Sequence, residues 1–160
     1  MKPSIFLSFF FLIIFSAFAF RNIEKEEFYN ALSATSNESI DIVMGKLENE
    51  KESSLNRAYK GALLMKKASF VKGVNGKVKT FKKGAKLLEA EIKNNPENAE
   101  YRFLRLTVQE HAPNILHYNK NMDEDKSVII KGYDKFDPAL KSIVSAYSNS
   151  SKIIKLSDIK

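Results

Sequence analysis

The sequence predicts an all-α protein, about seven to eight short helices stacked as antiparallel hairpins or gathered into an irregular bundle. Three observations carry that expectation. Apolar residues recur at spacings of three and four, the period that lines one face of a helix. No run alternates apolar and polar residues as a half-buried strand would. The prolines fall only at 3, 96, 113 and 138, so long stretches are free of helix breakers.

The elements follow in order. Segment 23–34 forms a first helix with Phe28, Ala31 and Leu32 on one side. Ser36 is placed to cap a second, in which Ile40, Val43, Met44 and Leu47 make an i, i+3, i+4, i+7 stripe. Ser53 or Ser54 opens a third, running from Leu55 through Tyr59, Ala62, Leu63 and Met65 towards Phe70. Gly73-Val-Asn-Gly76 breaks the chain, because two glycines and an asparagine readily take positive φ. A fourth helix runs from about 77 to 93 on the stripe Val78, Phe81, Ala85, Leu88 and Ile92. Asn95-Pro96 then reads as an N-cap and first position for a fifth, about 96–111.

The fifth helix differs from its neighbours. Ala99, Phe103 and Leu106 fall on one face, and Tyr101, Leu104 and Val108 on the opposite one. Such a helix must be covered on both sides, so it is expected at the centre, with Arg102, Arg105 and Gln109 along a polar gap. Pro113 starts a short sixth segment with Ile115, Leu116 and Tyr118. Asn121 and Glu124 have the spacing of a capping box for a seventh helix carrying Val128, Ile129 and Ile130. Asp137-Pro138 opens an eighth with Leu140, Ile143, Val144 and Tyr147. The tail 149–160 is polar and expected to fray, although Ile153, Ile154 and Leu156 have the character to dock.

Within this series, Lys83-Gly-Ala-Lys-Leu-Leu-Glu-Ala-Glu-Ile-Lys-Asn-Asn-Pro96-Glu-Asn-Ala99 resembles the second helix and exit turn of a tetratricopeptide repeat. Gly84, Leu88 and Pro96 match the small, bulky and proline positions of that family, while Glu91 stands where a second small residue belongs. The first helix of the repeat would fall near 65–78, which Gly73 and Gly76 interrupt. The resemblance spans about 20 residues and implies a helical-hairpin stack.

The start of the chain has the three parts of a secretory signal. Lys2 precedes the apolar run Ile5–Phe15, and Ala17-Phe-Ala19 supplies a small-residue cleavage site. The apolar stretch Ile5–Phe20 is 16 residues, short of the roughly 20 that span a bilayer. Charges begin at Arg21, which favours a cleaved signal over an uncleaved anchor or a buried helix. The expected division is a signal peptide at 1–19, one helical domain at 20–148 and the tail. With no cysteine there is no lipidation site, disulfide or thiolate metal site. Abundant Lys, Asn, Ile and Phe suggest an AT-rich bacterial genome and a periplasmic or secreted product.

Charge placement is the most unusual feature. No acidic residue lies between Glu52 and Glu89, and that interval carries Arg57, Lys60, Lys66, Lys67, Lys72, Lys77, Lys79, Lys82, Lys83 and Lys86. Loss of Lys2 with the signal takes the net charge from +7 to +6, so this interval alone exceeds the total. Lys79, Lys82, Lys83 and Lys86 share one face of the fourth helix, opposite its apolar stripe. They are the candidate surface for a polyanion, an anionic envelope surface or an acidic protein partner. Lysine dominance with few interleaved aromatics argues against sequence-specific nucleic-acid readout, as does export. The competing interpretation is a solvated helix face.

Other motifs fall short. Gly73-Val-Asn-Gly76-Lys77 has two residues between its glycines where a phosphate loop has four, and Val78 follows the lysine. His111 and His117 are six apart across Pro113, a spacing that does not converge on a metal, and no cofactor is expected. Adjacent Glu110 and His111 point about 100° apart on a helix and suit its C-terminal end better than acid–base work. The expectation is a non-enzymatic exported binding or adaptor protein of the cell envelope. Its rivals are an enzyme with a site near Glu110, His111 and His117, and a structural subunit of an envelope assembly.

Overall fold

The computed structural model describes residues 25–159, and the expected signal at 1–19 lies outside them. The described residues are all-α, without a strand. The helices are α1 (25–33), α2 (Asn37–Asn49), α3 (Ser54–Lys67), α4 (Val74–Asn94), α5 (Ala99–Gln109), α6 (Met122–Gly132) and α7 (Pro138–Ser148). Short 3₁₀ turns at Ala68–Phe70, Asn114–Leu116, Tyr133–Lys135 and Leu156–Asp158 take up the bends.

Local chemistry explains most boundaries and shifts some from expectation. Ser53 caps α3 by accepting from the Asn56 amide, whereas Ser36 before α2 makes no capping bond. The break after α3 is narrower than the Gly-Val-Asn-Gly pattern suggests. Only Gly73 takes positive φ, at 74°, and Gly76 lies inside the first turn of α4. The start of α5 also moves. Asn98 is its cap, accepting from the Tyr101 amide, while the Asn95 amide bonds back to Glu91 and closes α4. Pro96 therefore sits in the connecting turn, where its carbonyl accepts from Arg102 Nε at 2.8 Å. Asp137 caps α7 with Pro138 at its first position, as expected.

Two hairpins form the body. In the first, α3 and α4 run antiparallel: Arg57 meets Glu91, and Gly61 faces Gly84 and Leu88 further back along α4. The two glycines let the backbones nearly touch. A Cβ on Gly84 would press into the Gly61 carbonyl and come within 2.8 Å of the Met65 amide. In the second hairpin α5 and α6 are antiparallel, with Arg102 and Arg105 meeting Asp125 while Gly132 lies against Ala99. The 83–99 stretch thus forms the end of α4 and its exit turn, and its packing partner is α3 at 54–67. Glu91 occupies its position as a buried carboxylate bonded to Arg57 at 2.5 Å.

The central helix is α5. Phe103, Leu104 and Leu106 are at most 1% exposed, and Tyr101 is buried on the opposite side from Phe103. Its polar gap, with Arg102, Arg105 and Gln109, is buried as well. Arg102 and Arg105 close on Asp125 of α6, itself fully buried, with Arg105 donating through Nε at 2.7 Å and Nη2 at 2.5 Å. Glu124 at 2.8 Å and Glu89 at 2.8 Å complete the cluster. An aromatic chain ties the remaining helices to α5. Phe28 of α1 stacks on Tyr59 of α3, Tyr29 leans on Phe103, and Tyr147 of α7 meets Phe103 edge-on at 5.3 Å.

The tail expected to fray is docked instead. Ile154 is fully buried and Ile159 7% exposed. Glu110 at the end of α5 accepts from Ser151 Oγ at 2.6 Å and the Lys152 amide at 2.7 Å. Asp158 pairs with Lys126 of α6 at 2.8 Å. Apolar anchors at Ile154 and Ile159 outweigh the polar composition between them, and the domain extends through 159.

Candidate functional site

Residues of α1, α4, α5 and α7, with the end of α3 and the turn after it, line a space that they do not fill. The result is a groove of about 930 Å³. Its floor is Phe103 of α5 with Tyr29 of α1, both held by the aromatic chain. One wall is the start of α4, with Val74, Val78 and Phe81; the other is α7, with Ile143 and Tyr147. Ile115 and Leu116, on the 3₁₀ turn after Pro113, close one end. Val74 and Ile115 stand 75% and 82% exposed at the mouth, so the apolar surface continues outward onto the lips.

The charges around the groove are mostly positive. Lys66, in the last turn of α3, and Lys77, in the first turn of α4, line it from either side of the same turn. Neither has a carboxylate partner among the described residues. His111 lines it too, its Nδ1 held 2.8 Å from the Thr107 carbonyl, and Glu26 of α1 is the acidic residue of the lining.

No family model, curated protein or solved structure matches this chain. The site is accordingly argued from its own geometry.

The structure divides the acid-free interval between two surfaces. Lys79, Lys82, Lys83 and Lys86 are all exposed on α4, on the side away from buried Phe81 and Leu88. Their ammonium groups make no ion pair with a described carboxylate. Lys66 and Lys77 turn the other way, into the groove. Arg57 and Lys67 are engaged in the fold, with Glu91 and Asp41.

Glu110, His111 and His117 do not converge. Both oxygens of Glu110 are taken by α7 and the tail, with Tyr147 Oη and Ser151 Oγ on one and the Lys152 amide on the other. Burial pushes its carboxyl up, but the bonds from Ser151, Tyr147 and Lys152 outweigh that and hold it below the ordinary value. Burial and the adjoining carboxylate push the Tyr147 hydroxyl well up, so it remains a donor. His117, at φ 49°, ends the Asn114–Leu116 turn in an exposed position. Among the described residues no three His, Asp or Glu side chains gather as a metal site. None of the described helices is long and apolar enough to cross a membrane.

Two polar clusters escaped the sequence reading. One is Arg102–Arg105–Asp125, whose signal was present: Asp125 sits three and four residues before Val128 and Ile129, on the buried face of α6. The other joins Lys25 of α1 to Glu100 at 3.1 Å and Asp137 at 2.6 Å, with Tyr59 Oη also on Glu100. Burial pushes the Tyr59 hydroxyl well up, and the Glu100 charge adds to this. The second cluster fixes α1, and with it the Tyr29 part of the groove floor.

Proposed function

We propose that this is an exported, non-enzymatic binding protein of the bacterial cell envelope, and that the groove is where it binds. The observation that carries the proposal is an open apolar groove with exposed apolar lips at Val74 and Ile115. A wall of that kind is costly to leave in water, and such surfaces mark interaction sites. The signal pattern at 1–19 supports export. The lysine face of α4, on the far side of that helix from the groove, is suited to lie against anionic envelope components.

Three measurements test the proposal together. The mass of the protein recovered from the envelope fraction should correspond to cleavage after Ala19; an intact precursor confined to the cytoplasm would overturn the export step. Crosslinking in cells should give discrete adducts that the Val74→Asp/Ile115→Asp variant loses; adducts unchanged by that variant would move binding away from the groove. Co-sedimentation with anionic vesicles should weaken from 50 to 500 mM salt through the Lys79, Lys82, Lys83 and Lys86 face. Insensitivity to salt would remove that face from the mechanism.

A further inference from the structure

We propose that the groove holds the hydrocarbon chain of a single-chain anionic amphiphile, a long-chain carboxylate, with its headgroup at the Lys66–Lys77 end. This rests on the binding role proposed above and assigns the chemistry of what is bound. Three observations select this occupant.

The first is the wall. Its lining is mainly aromatic and aliphatic, from Tyr29 and Phe103 to Val78 and Ile143, with the small polar side chains of Asn30, Ser33, Thr107 and Ser142 among them. The surface is concave, which suits a single chain and not the plane of a bilayer. The helical walls offer no strand edge for an extended peptide to pair with.

The second is charge. Lys66 and Lys77 flank one end without a carboxylate partner among the described residues, and Glu26 is the one acidic residue of the lining. The same end lies over the first turn of the 21-residue α4, which has neither an acidic residue nor a side-chain cap. Its helix dipole therefore adds to the field of the lysines. An anionic head is favoured there and a cationic one is repelled.

The third is capacity. About 930 Å³ falls within the roughly 300–1,000 Å³ typical of small-molecule sites. A partner helix of three turns, about 10 Å across and 16 Å long, occupies roughly 1,300 Å³ and would stand proud of the groove. One extended alkyl chain fits inside it.

Calorimetric titration of the exported protein with laurate, myristate and palmitate, each below its micelle concentration, tests this. The expected result is saturable one-to-one binding that tightens roughly fourfold per added methylene. Hexadecyltrimethylammonium, with the same chain and the opposite head charge, should bind at least tenfold more weakly than palmitate. Lys66→Glu/Lys77→Glu should reverse that preference. Ile115→Asp, at a side chain 82% exposed and so outside the core, should weaken palmitate while leaving the circular dichroism spectrum intact.

Absence of saturable binding at every chain length would overturn the proposal, as would equal affinity for the two headgroups. Sedimentation with phosphatidylglycerol vesicles in place of monomer binding would likewise overturn it. If palmitate fails while the Val74→Asp/Ile115→Asp variant still loses its crosslinks in cells, the amphiphile falls and the binding role stands. If both fail, both fall.

Discussion

Replacing Asp125 by alanine tests how α5 is held at the centre of the protein. Asp125 is fully buried and accepts from Arg102 Nη1 at 3.1 Å, Arg105 Nε at 2.7 Å and Arg105 Nη2 at 2.5 Å. Its removal leaves two guanidinium groups, 5–6% exposed, short of an anion. Removing one partner of a buried ion pair typically costs about 3–5 kcal/mol. Here Arg102 keeps Glu124 and the Pro96 carbonyl, and Arg105 keeps Glu89, so the lower end, about 3 kcal/mol, is expected. That is a large share of the roughly 5–15 kcal/mol by which domains are stable. At about 1–3 kcal/mol per molar, the urea midpoint should fall by roughly 1–3 M. Replacing Arg102, Arg105 and Asp125 together by apolar residues of similar volume should recover most of the loss, since the carboxylates that lose a partner, Glu124 and Glu89, are 53% and 40% exposed and no buried charge is then stranded. A single Asp125→Ala variant within about 0.5 kcal/mol of the parent would refute the claim that this cluster locks α5 to α6, because ordinary surface substitutions fall in that range.

Other consequences are as direct. Leu104→Asp and Phe103→Asp each place an unpaired carboxylate at a site at most 1% exposed, and each should cost about 4 kcal/mol or more, read as loss of the cooperative thermal transition. Gly84→Ala should destabilise by about 1–3 kcal/mol in chemical denaturation, because the new methyl meets the backbone of α3 at Gly61 and Met65 and rigid backbone cannot yield. For pH, Glu110 has a folded-state value below its ordinary 4.5, so its contribution is complete above that value and fades as pH falls through the native one. Glu110→Gln should therefore cost about 1–2 kcal/mol at pH 7, from the loss of charge-assisted bonds, with the gap to the parent narrowing below about pH 4.5. A gap that widens on acidification would reverse the assignment.

How much of this was legible in the sequence depended on whether a feature belongs to one helix or to several. The two-sided burial of α5 follows from periodicity alone, because Phe103 and Leu104 mark opposite faces whatever packs on them. The caps at Ser53 and Asp137 are equally local. The cap lies at Asn98, because Asn95 is taken up in closing α4 through the bond of its amide to the Glu91 carbonyl. Asp125 was read past because charge is normally assigned to solvent, although its spacing to Val128 and Ile129 places it inward. The groove was the least legible feature. A cavity is the mismatch between stripes on α1, α4, α5 and α7, and it exists only once their crossing is set. Lys66 and Lys77 consequently looked like two more members of a basic run.

The polar anchors at the two ends of α5 have a mechanical consequence. Glu100, near its start, grips Lys25 of the first described helix, and Glu110, just past its end, grips Ser151 and Lys152 of the last segment. A tension applied between residues 25 and 159 first meets the Asp158–Lys126 pair and the buried Ile159 at one end and the Lys25 pairs at the other. Once the outer tail contacts yield, the load passes to both ends of one buried rod, so the groove floor on α5 should keep its shape until Glu100 or Glu110 lets go.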